Sequence, residues 1–349
     1  MIKISPAEHG QKDAWNNFVK NNYPPIGGFM ASWEWGEFQM ALGRKIERYL
    51  ATAEGEIISV FTAVYCRLPS GFVYGYVPRG PALDRGFFDN PEKIKNFFDF
   101  LARWIKNNFR RFIFFRLEPP LEPSQSIISR QLIYPDYYIQ PRRNLAINLN
   151  QSEKEIFSQF HSSTRSNVKK AERKGVTAEI KENLTTSDWN HFFKMAQETV
   201  LRNNGKNIYP PREYFETITK VLPPLSQTQT GEMSWRFFCG MHEGQPAAIN
   251  LVIFFGGTAT YLFGASYTKK LPSKVTTYLH WRGLTESKKM GFKYYDLGGI
   301  DEKLWPSLTV FKKRFGGEEF EYIGNMDIPV RPLIYRLYNL AQKIRKRVL

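Results

Sequence analysis

The chain has 349 residues, which suffices for about two domains, and its formal net charge at pH 7 is +16. Aromatic residues make up 15% of it, which excludes a disordered chain because disordered segments are poor in aromatic residues. The basic balance indicates anionic partners such as nucleic acid, phosphorylated substrates or an anionic membrane face. A basic surface that only aids solubility is the alternative.

The sequence shows neither a secretory leader nor a membrane-spanning segment. The first residues, Met1–Pro6, lack a long apolar stretch, and no run approaches the roughly 18 apolar residues of a span. Cys66 and Cys239 lie far apart in apolar segments, without a second cysteine at metal-ligand spacing. We interpret both as buried thiols in a reducing compartment, and we expect a cytoplasmic protein without a metal site.

The first half of the chain predicts alternating helices and strands. In chain order the elements are helices at Lys12–Lys20 and Ser32–Leu42, strands at Arg48–Ala53, Ile57–Cys66 and Gly71–Val77, a long helix at Pro91–Asn108 and a buried strand at Phe112–Leu117. The dipeptide Glu54-Gly55 predicts a hairpin turn between the first two strands.

The second half repeats this order. Its elements are helices at Ser187–Leu201 and Pro211–Val221, strands at Arg236–Met241, Ala247–Phe255 and Thr258–Gly264, a helix at Val275–Lys289 and a strand at Lys293–Leu297. Glu243-Gly244 takes the place of Glu54-Gly55. The repetition predicts a duplicated unit, although two unrelated α/β domains could show the same order by chance.

Helices followed by an antiparallel meander, a long helix and a further strand are the order of the acetyltransferase (GNAT)-like fold. We therefore predict a mixed α/β protein of two tandem GNAT-like domains, each with a largely antiparallel mixed sheet flanked by helices. The predicted ranges are 1–147 and 148–317, with 318–349 packing back on the first domain.

Acetyl-CoA is disfavoured as a co-substrate. Enzymes that use it cradle the pyrophosphate with a glycine-rich turn that opens a helix. The first half instead has Pro78-Arg79-Gly80-Pro81, where proline removes a donor, and the second has Gly264-Ala265-Ser266-Tyr267, with a single glycine.

Five segments resemble the Fem family of peptidoglycan bridge-forming aminoacyltransferases. They are Ser32–Phe38 (SWEWGEF), Tyr76–Pro81 (YVPRGP), Thr164–Val176 (TRSNVKKAERKGV), Tyr295–Ile300 (YDLGGI) and Phe311–Gly317 (FKKRFGG). Their order and spacing match across nearly the whole chain, and the chain resembles the members that lack a coiled-coil arm.

The resemblance implies transfer of an amino acid from aminoacyl-tRNA to the stem-peptide amine of a peptidoglycan precursor, either lipid II or the UDP-linked pentapeptide. The ester is already activated, so the resemblance implies no cofactor, with aminoacyl-tRNA as co-substrate. The protein must align two anionic substrates and stabilise the developing oxyanion. We expect a monomer.

Lys312 matches the lysine of the family's Phe-Lys motif, and the resemblance places it at the acyl-transfer site with Phe311 beside it. A solvated basic face of Lys312, Lys313 and Arg314 is the alternative.

Arg212, with Tyr214 in the same segment, resembles a ligand of the precursor's diphosphate, for which an arginine fork is suited. An exposed helix arginine is the alternative. The lysine that shares phosphate binding in some relatives is missing here, since Gly36–Gln39 contains none; Arg44 or Lys45 could replace it.

Tyr76, Arg79 and Asp84 surround the turn where a splayed sheet of the first domain would open, which suggests substrate binding. Asp84 could hold or deprotonate the attacking amine, or could be only a turn carboxylate. Asp296 at a strand end could line a polar cleft or cap the following turn.

Basic residues of the second half are candidates for weak contact with the tRNA backbone, and a solvated face explains them equally. They are Arg165, Lys169, Lys170 and Arg173 on the Thr164–Lys174 helix, together with Lys313 and Arg314.

The last segment, 332–349, is amphipathic, with an apolar stripe amid basic residues. The stripe consists of Leu333, Leu337, Leu340, Ile344 and Val348. It could pack on the first domain or attach the protein to an anionic membrane leaflet. An acyl-CoA-dependent N-acyltransferase of polysaccharide biosynthesis and a non-catalytic RNA- or membrane-binding module are the alternative functions.

Overall fold

A computed structural model describes residues 1–69, 71–125, 127–203, 205, 207–228 and 232–348, without the side chains of 343–348. Its contacts define two compact units. Unit 1 is Met1–Pro24, Met30–Arg142 and Glu321–Leu349, and unit 2 is Pro25–Phe29 and Arg143–Phe320. The units therefore divide after Arg142 and after Phe320, a few residues from the predicted positions 147 and 317.

The strands are β1 (Ile2–Pro6), β2 (Ile46–Ala53), β3 (Glu56–Arg67), β4 (Val73–Val77), β5 (Ala82–Leu83), β6 (Phe114–Leu117), β7 (Arg143–Asn148), β8 (Thr177–Lys181), β9 (Ser234–His242), β10 (Gln245–Phe255), β11 (Thr258–Ser266), β12 (Tyr294–Ile300), β13 (Glu318–Glu321) and β14 (Met326–Pro329). The helices are α1 (Lys12–Asn22), α2 (Trp33–Ala41), α3 (Pro91–Asn108), α4 (Glu153–Gln159), α5 (Ser162–Arg173), α6 (Thr186–Arg202), α7 (Arg212–Val221), α8 (Val275–Lys289), α9 (Pro306–Lys313) and α10 (Pro332–Val348).

The sheet of unit 1 has the order β1-β2-β3-β4-β6-β14, with β5 paired to β3. Its strands are antiparallel except for β4 and β6, which run parallel. The β2–β3 hairpin turns at Glu54 and Gly55, both with positive φ, as a tight turn between right-twisted strands requires. Helix α3 begins with the Asn90 side chain accepting from Lys93 N.

The sheet of unit 2 follows the same plan, in the order β8-β9-β10-β11-β12-β7-β13. Its meander β9–β10–β11 is antiparallel, and β11 and β12 are the parallel pair. Strand β7, next to β12, precedes the meander in the chain, whereas β14, next to β6, follows all of unit 2. The predicted repeat of two mixed α/β units is confirmed.

Each sheet packs on its long helix to form a core. In unit 1, α3 contributes a buried face that includes Phe97, Phe98 and Leu101. In unit 2, α8 contributes Val275, Leu279 and Leu284. The three residues of α3 lie on one helical face, whereas α8 is buried on more than one face.

A buried ion pair joins the C-terminal segment to the sheet of unit 1. Arg116 on β6 donates from Nε and one Nη to the two carboxylate oxygens of Asp327 on β14, at 2.8 and 2.6 Å. Arg116 is 1% exposed and Asp327 is fully buried. Tyr335 of α10 donates to the same carboxylate at 2.8 Å, and Tyr137 Oη contacts the guanidinium at 2.5 Å. This arrangement is bidentate and fully buried, so removal of one partner leaves an uncompensated charge.

Helix α10 packs on unit 1 through a face other than the predicted one. Tyr335 joins Ile113 and Phe114 in a small cluster, with Ile334 and Tyr338 against it. Leu333, Leu337 and Leu340 are instead 75%, 67% and 57% exposed. The side chains of Ile344 and Val348 lie outside the described residues. The part of the predicted stripe that is described therefore does not pack in the unit.

Candidate active site in unit 2

The parallel strands β11 and β12 pair at only three positions. Thr258, Ala259 and Thr260 pair with Tyr294, Tyr295 and Asp296. Beyond this point β12 stays with β7, through an irregularity between Asp296 and Gly299. The later residues of β11 and β12 are therefore not paired with each other, and side chains occupy the space where the strands separate.

Asp296 fixes the turn of β12 at this point. It is 1% exposed, and its carboxylate accepts from Gly298 N at 2.7 Å and from Asn144 Nδ2 at 3.2 Å. Gly298 has φ of 79°, which a residue with a side chain rarely adopts. The carboxylate thus shapes the backbone that presents the carbonyl of Gly299.

Lys312 reaches that carbonyl from α9. Its Nζ donates to Gly299 O at 2.7 Å, and the residue is 5% exposed. Burial lowers the pKa of Lys312 to about 8, and the nearby Asp296 carboxylate opposes this shift. The lysine therefore stays mostly protonated at neutral pH in a site where a charge is poorly screened.

Local structure on both sides of Lys312 sets its position. Before α9, Asp301 Oδ1 accepts from Lys303 N and Leu304 N, and Thr309 Oγ1 donates to Asp301 O. After it, Gly317 has φ of 93°, and a Cβ there would lie 2.4 Å from Ala146 O of β7. The Phe-Gly-Gly sequence after Lys312 is therefore needed for the chain to pass β7.

An imidazole surrounded by aromatic rings lies beside the cation. The ring centroid of His280 is 4.5 Å from that of Tyr261, 5.6 Å from Phe311 and 5.5 Å from Phe315. Burial, and secondly the charge of Lys312, lower the pKa of His280 to about 3. His280 is therefore neutral at physiological pH.

Several buried polar atoms of this region have no hydrogen-bond partner among the described residues. They are Asn250 Nδ2, His280 Nδ1 and Tyr295 Oη. Such atoms cost free energy unless a ligand or water satisfies them. Together with the Lys312 ammonium they form a low-dielectric polar site, the kind of environment that stabilises an oxyanion.

The structure thus brings three predicted residues together, namely Lys312, Phe311 and Asp296. It adds Asn144, Asn250 and His280, which sequence reasoning missed. His280 stands in an otherwise apolar stretch of α8, Tyr278–Trp281, and that is the one local signal that could have found it.

Tyr76 and Arg79 belong to a buried network of unit 1. Tyr76 Oη donates to Glu118 at 2.6 Å, and Arg79 donates from Nη to Pro141 O at 2.8 Å. Gln140 N also donates to Glu118, at 3.0 Å. Tyr76 and Arg79 are 8% and 5% exposed. These bonds are internal, and substrate contact by either residue stays a prediction.

Asp84, also in unit 1, caps the turn that follows β5. Its carboxylate accepts from Gly86 N at 2.9 Å. The sequence left two roles open for Asp84, that of a catalytic base and that of a turn carboxylate, and this contact is the one expected of a turn carboxylate. A role as base stays a prediction.

Arg212 lies exposed at the start of α7 in unit 2. Its Nε donates to Glu216 at 2.6 Å, and its guanidinium stands 5.1 Å from the centre of the Phe193 ring. Tyr214 contacts the rings of Phe215 and Phe263. The guanidinium is thus exposed and paired with a partly exposed carboxylate, and contact with a diphosphate stays a prediction.

Among the basic residues of unit 2 that were predicted to contact tRNA, some form hydrogen bonds or ion pairs within the chain. Arg165 donates to the carbonyls of Ser158 and Phe160 after α4, and Lys313 pairs with Glu302 at 2.8 Å and with Glu319 at 2.6 Å. The exposed ones are Lys169, Lys170, Arg173 and Arg314. Lys313 is exposed as well, and contact of any of these residues with a tRNA backbone stays a prediction.

Within the described ranges, no helix is long and apolar enough to cross a bilayer, and no group of three or more potential metal-ligating His, Cys, Asp or Glu side chains occurs. Both cysteines are free thiols; Cys239 is buried and Cys66 is partly exposed.

Two acetyltransferase-like units, one of which holds a buried cation where its parallel strands separate, define a tandem GNAT-like protein. The solved structure of FemX matches with a TM-score of 0.78 and 18% identity, over 97% of this chain and all of that one. A tandem GNAT protein from the clavulanic acid pathway matches with a TM-score of 0.54 and 8% identity, over 95% and 99%. At these identities both establish the fold.

The sequence adds the family. The FemAB family model matches residues 128–221 and 234–343, more than half of the chain, and the chain belongs to the FemAB family. It is 24% identical to a UDP-N-acetylmuramoylpentapeptide-lysine N(6)-alanyltransferase of Weissella viridescens, over 91% of this chain and 88% of the relative. It is 21% identical to a lipid II:glycine glycyltransferase of Staphylococcus aureus, over 95% and 94%.

Proposed function

We propose that this protein transfers an amino acid from aminoacyl-tRNA to the stem-peptide amine of a peptidoglycan precursor, which begins or extends the interpeptide bridge. The observation that carries the proposal is the buried Lys312 ammonium at the separation of β11 and β12, in a member of a family whose relatives bear the names of alanyl- and glycyltransferases.

The main requirement of the reaction is that the protein stabilises the negative charge that develops on the ester carbonyl oxygen. The acceptor amine attacks the ester carbonyl, a C–N bond forms, and the carbonyl oxygen becomes an oxyanion. Lys312 lies in a dry site whose polar atoms are already fixed, so its ammonium can stabilise this charge with little reorganisation. When the C–O bond breaks, the proton from the amine passes to the departing ribose hydroxyl, and the products are an amide and free tRNA.

His280 has a supporting role in this proposal. A neutral imidazole packed on Phe311 and Phe315 adds no positive charge beside Lys312 and keeps the cation apart from water. Asp296 acts through the backbone, because it holds the turn whose Gly299 carbonyl orients the ammonium.

The substrates meet other parts of the chain. Arg212, whose guanidinium is exposed, binds the diphosphate of the precursor in exchange for Glu216, as planar guanidinium–phosphate recognition favours. The exposed cations Lys169, Lys170 and Arg173 contact the tRNA backbone. The protein works as a cytoplasmic monomer with no cofactor, and residues 332–349 contact the inner face of the membrane.

The experiment is a transfer assay with the purified chain. Charged tRNAs carrying alanine, glycine or serine are incubated with the UDP-linked pentapeptide and, separately, with lipid II, and mass spectrometry measures the stem peptide. A mass gain of one amino acid residue with at least one donor supports the proposal. No gain with any donor on either precursor, together with saturable acyl-CoA binding by calorimetry, would replace it with an acyl-CoA-dependent reaction.

A further inference from the structure

A groove of about 420 Å³ lies within unit 1, away from the network around Glu118. Its walls are the last turn of α3, the segment 130–133 and the first turns of α10. Three cations line it, namely Lys106, Arg130 and Arg336. Lys106 Nζ donates to the neutral Gln131 side chain at 3.2 Å. In the described part of the chain no carboxylate forms an ion pair with any of the three, so their charge is uncompensated.

The same groove offers an unmatched hydrogen-bond acceptor. Asn339 lines it, and the Oδ1 of this residue is buried without a partner among the residues that the structure describes. The neighbouring Tyr335 hydroxyl is occupied, since it donates to Asp327. A ligand that carries both a phosphate and a hydroxyl would satisfy the cations and this amide together.

An apolar stripe runs along one edge of the groove. Leu333, Leu337 and Leu340 follow one another at helical spacing and are 75%, 67% and 57% exposed, and Leu340 itself lines the groove. The opposite face of α10 is held by Tyr335 in its cluster. Exposed leucines in a row on a helix face, flanked by cations, are the pattern of a helix that lies in a membrane interface.

These features together select one occupant. A nucleic acid backbone would pair with the cations but would leave the leucines in water. A lipid surface provides phosphates at the level of the cations and acyl chains for the leucines, within one layer. In sequence, four further cations follow the stripe at Lys343, Arg345, Lys346 and Arg347, which adds to the attraction for an anionic surface.

We propose that this groove binds the phosphodiester headgroup of an anionic phospholipid while the leucine stripe enters the acyl region. The proposal deepens the membrane contact stated under the proposed function and does not depend on the transfer reaction. A headgroup with a free hydroxyl, such as that of phosphatidylglycerol, fits both the cations and Asn339.

The test is cosedimentation of the full chain, without tRNA or precursor, with phosphatidylcholine vesicles and with vesicles in which one lipid in three is phosphatidylglycerol. The wild-type chain binds the second kind and not the first. Each cation near the surface contributes about fivefold in affinity, so the combined variant Lys106→Gln, Arg130→Gln, Arg336→Gln binds roughly 100-fold more weakly.

Two matched controls accompany the test. The combined variant Lys3→Gln, Arg67→Gln, Arg111→Gln removes the same charge from exposed positions of unit 1 outside the groove, and it loses less than about fivefold. Leu333→Gln weakens binding about tenfold, whereas Leu201→Gln, which is equally exposed at 75% but lies on α6, leaves it unchanged.

The outcomes separate the competing explanations. Equal losses in the two charge variants would overturn the groove and leave only a diffuse electrostatic attraction. Loss of tRNA binding, rather than of vesicle binding, in the groove variant would make this face an RNA surface. Absence of vesicle binding by the wild-type chain would overturn both this inference and the membrane contact. Failure of the transfer assay with vesicle binding intact would count against the proposed function alone.

Discussion

The two parallel strand pairs, β4–β6 in unit 1 and β11–β12 in unit 2, are equally long, but different side chains lie beyond their paired residues. Each pairs at three positions. Beyond the pair in unit 1, the Glu118 carboxylate accepts from Tyr76 Oη and from Gln140 N. Beyond the pair in unit 2 lie the Lys312 ammonium and polar atoms without partners in the described chain.

The difference indicates how a duplicated fold can divide stability and chemistry between its copies. The junction of unit 1 is closed by bonds within the chain, and the nearby Arg116–Asp327 pair is fully buried and satisfied. The junction of unit 2 retains a buried cation with a shifted pKa and unmatched donors, both of which cost stability. Features of this kind concentrate where a protein does chemistry.

The largest expected effect is on the stability of unit 1. Asp327→Ala leaves Arg116 buried without its partner and lowers the free energy of unfolding by about 3–5 kcal/mol. The control is Glu321→Ala, which removes a half-exposed carboxylate of the same segment from Arg142 and costs less than about 1 kcal/mol. Urea titration followed by circular dichroism measures both. Equal costs would show that unit 1 does not depend on its buried pair.

The second prediction concerns Lys312. Lys312→Met keeps the length of the side chain but removes the cation, and we expect kcat for transfer to fall roughly 100- to 1000-fold. Stability should not fall, because an apolar chain replaces a buried charge. Lys289→Met, at an exposed lysine paired with Glu286, is the control. If both variants keep the wild-type rate in single-turnover assays, the charge of Lys312 has no role in the mechanism.

The smallest effect is a pH dependence. With a pKa of about 8 for Lys312, the transfer rate should fall about tenfold per pH unit above that value as the cation is lost. The unfolded chain, with its lysine near 10.5, binds more protons between the two values, so the contribution of Lys312 to stability rises with pH across this window. Lys312→Met should show neither trend.

Glu118 supplies the contrast in unit 1. Burial raises the pKa of its carboxyl, against the effects of Arg79 and Tyr76. The folded state therefore holds a proton that the unfolded state releases, and the stability contributed by Glu118 falls as pH rises through its folded pKa. Thermal unfolding of Glu118→Gln as a function of pH should lack this loss. A loss of the same size in the variant would assign it to another group.

Local patterns predicted the elements of the repeat well. The long helix α3 and both hairpins have the predicted positions, because amphipathic spacing and a two-residue turn are signals contained within a few residues. Strands β1, β5, β7, β8, β13 and β14 were missed. They are two to six residues long, and each is stabilised by a neighbour well away in the sequence, so that no local pattern marks them.

The site residues that lie in family-like motifs could be predicted from the sequence. Lys312, Phe311 and Asp296 stand in short segments that resemble the family, and the structure brings them together. Their partners Asn144, Asn250 and His280 come from three other elements, and only the sheet and α8 bring them near. In the same way, nothing near Tyr76 in sequence indicates that Glu118, 42 residues later, accepts a hydrogen bond from its hydroxyl group.

Because β14 comes late in the chain, the sheet of unit 1 can be completed only near the end of translation. Arg116 waits for a counter-charge that lies 211 residues further along the chain, and at translation rates of 5–20 residues per second this interval lasts roughly 10–40 s. Every strand of the second sheet, from β7 to β13, is synthesised within that interval. Unit 1 is thus the first unit whose synthesis begins and the last whose sheet is complete. A nascent chain that ends before Asp327 exposes β6 as an unpaired edge strand, with Arg116 lacking its carboxylate partner, and the cell's quality control can recognise both.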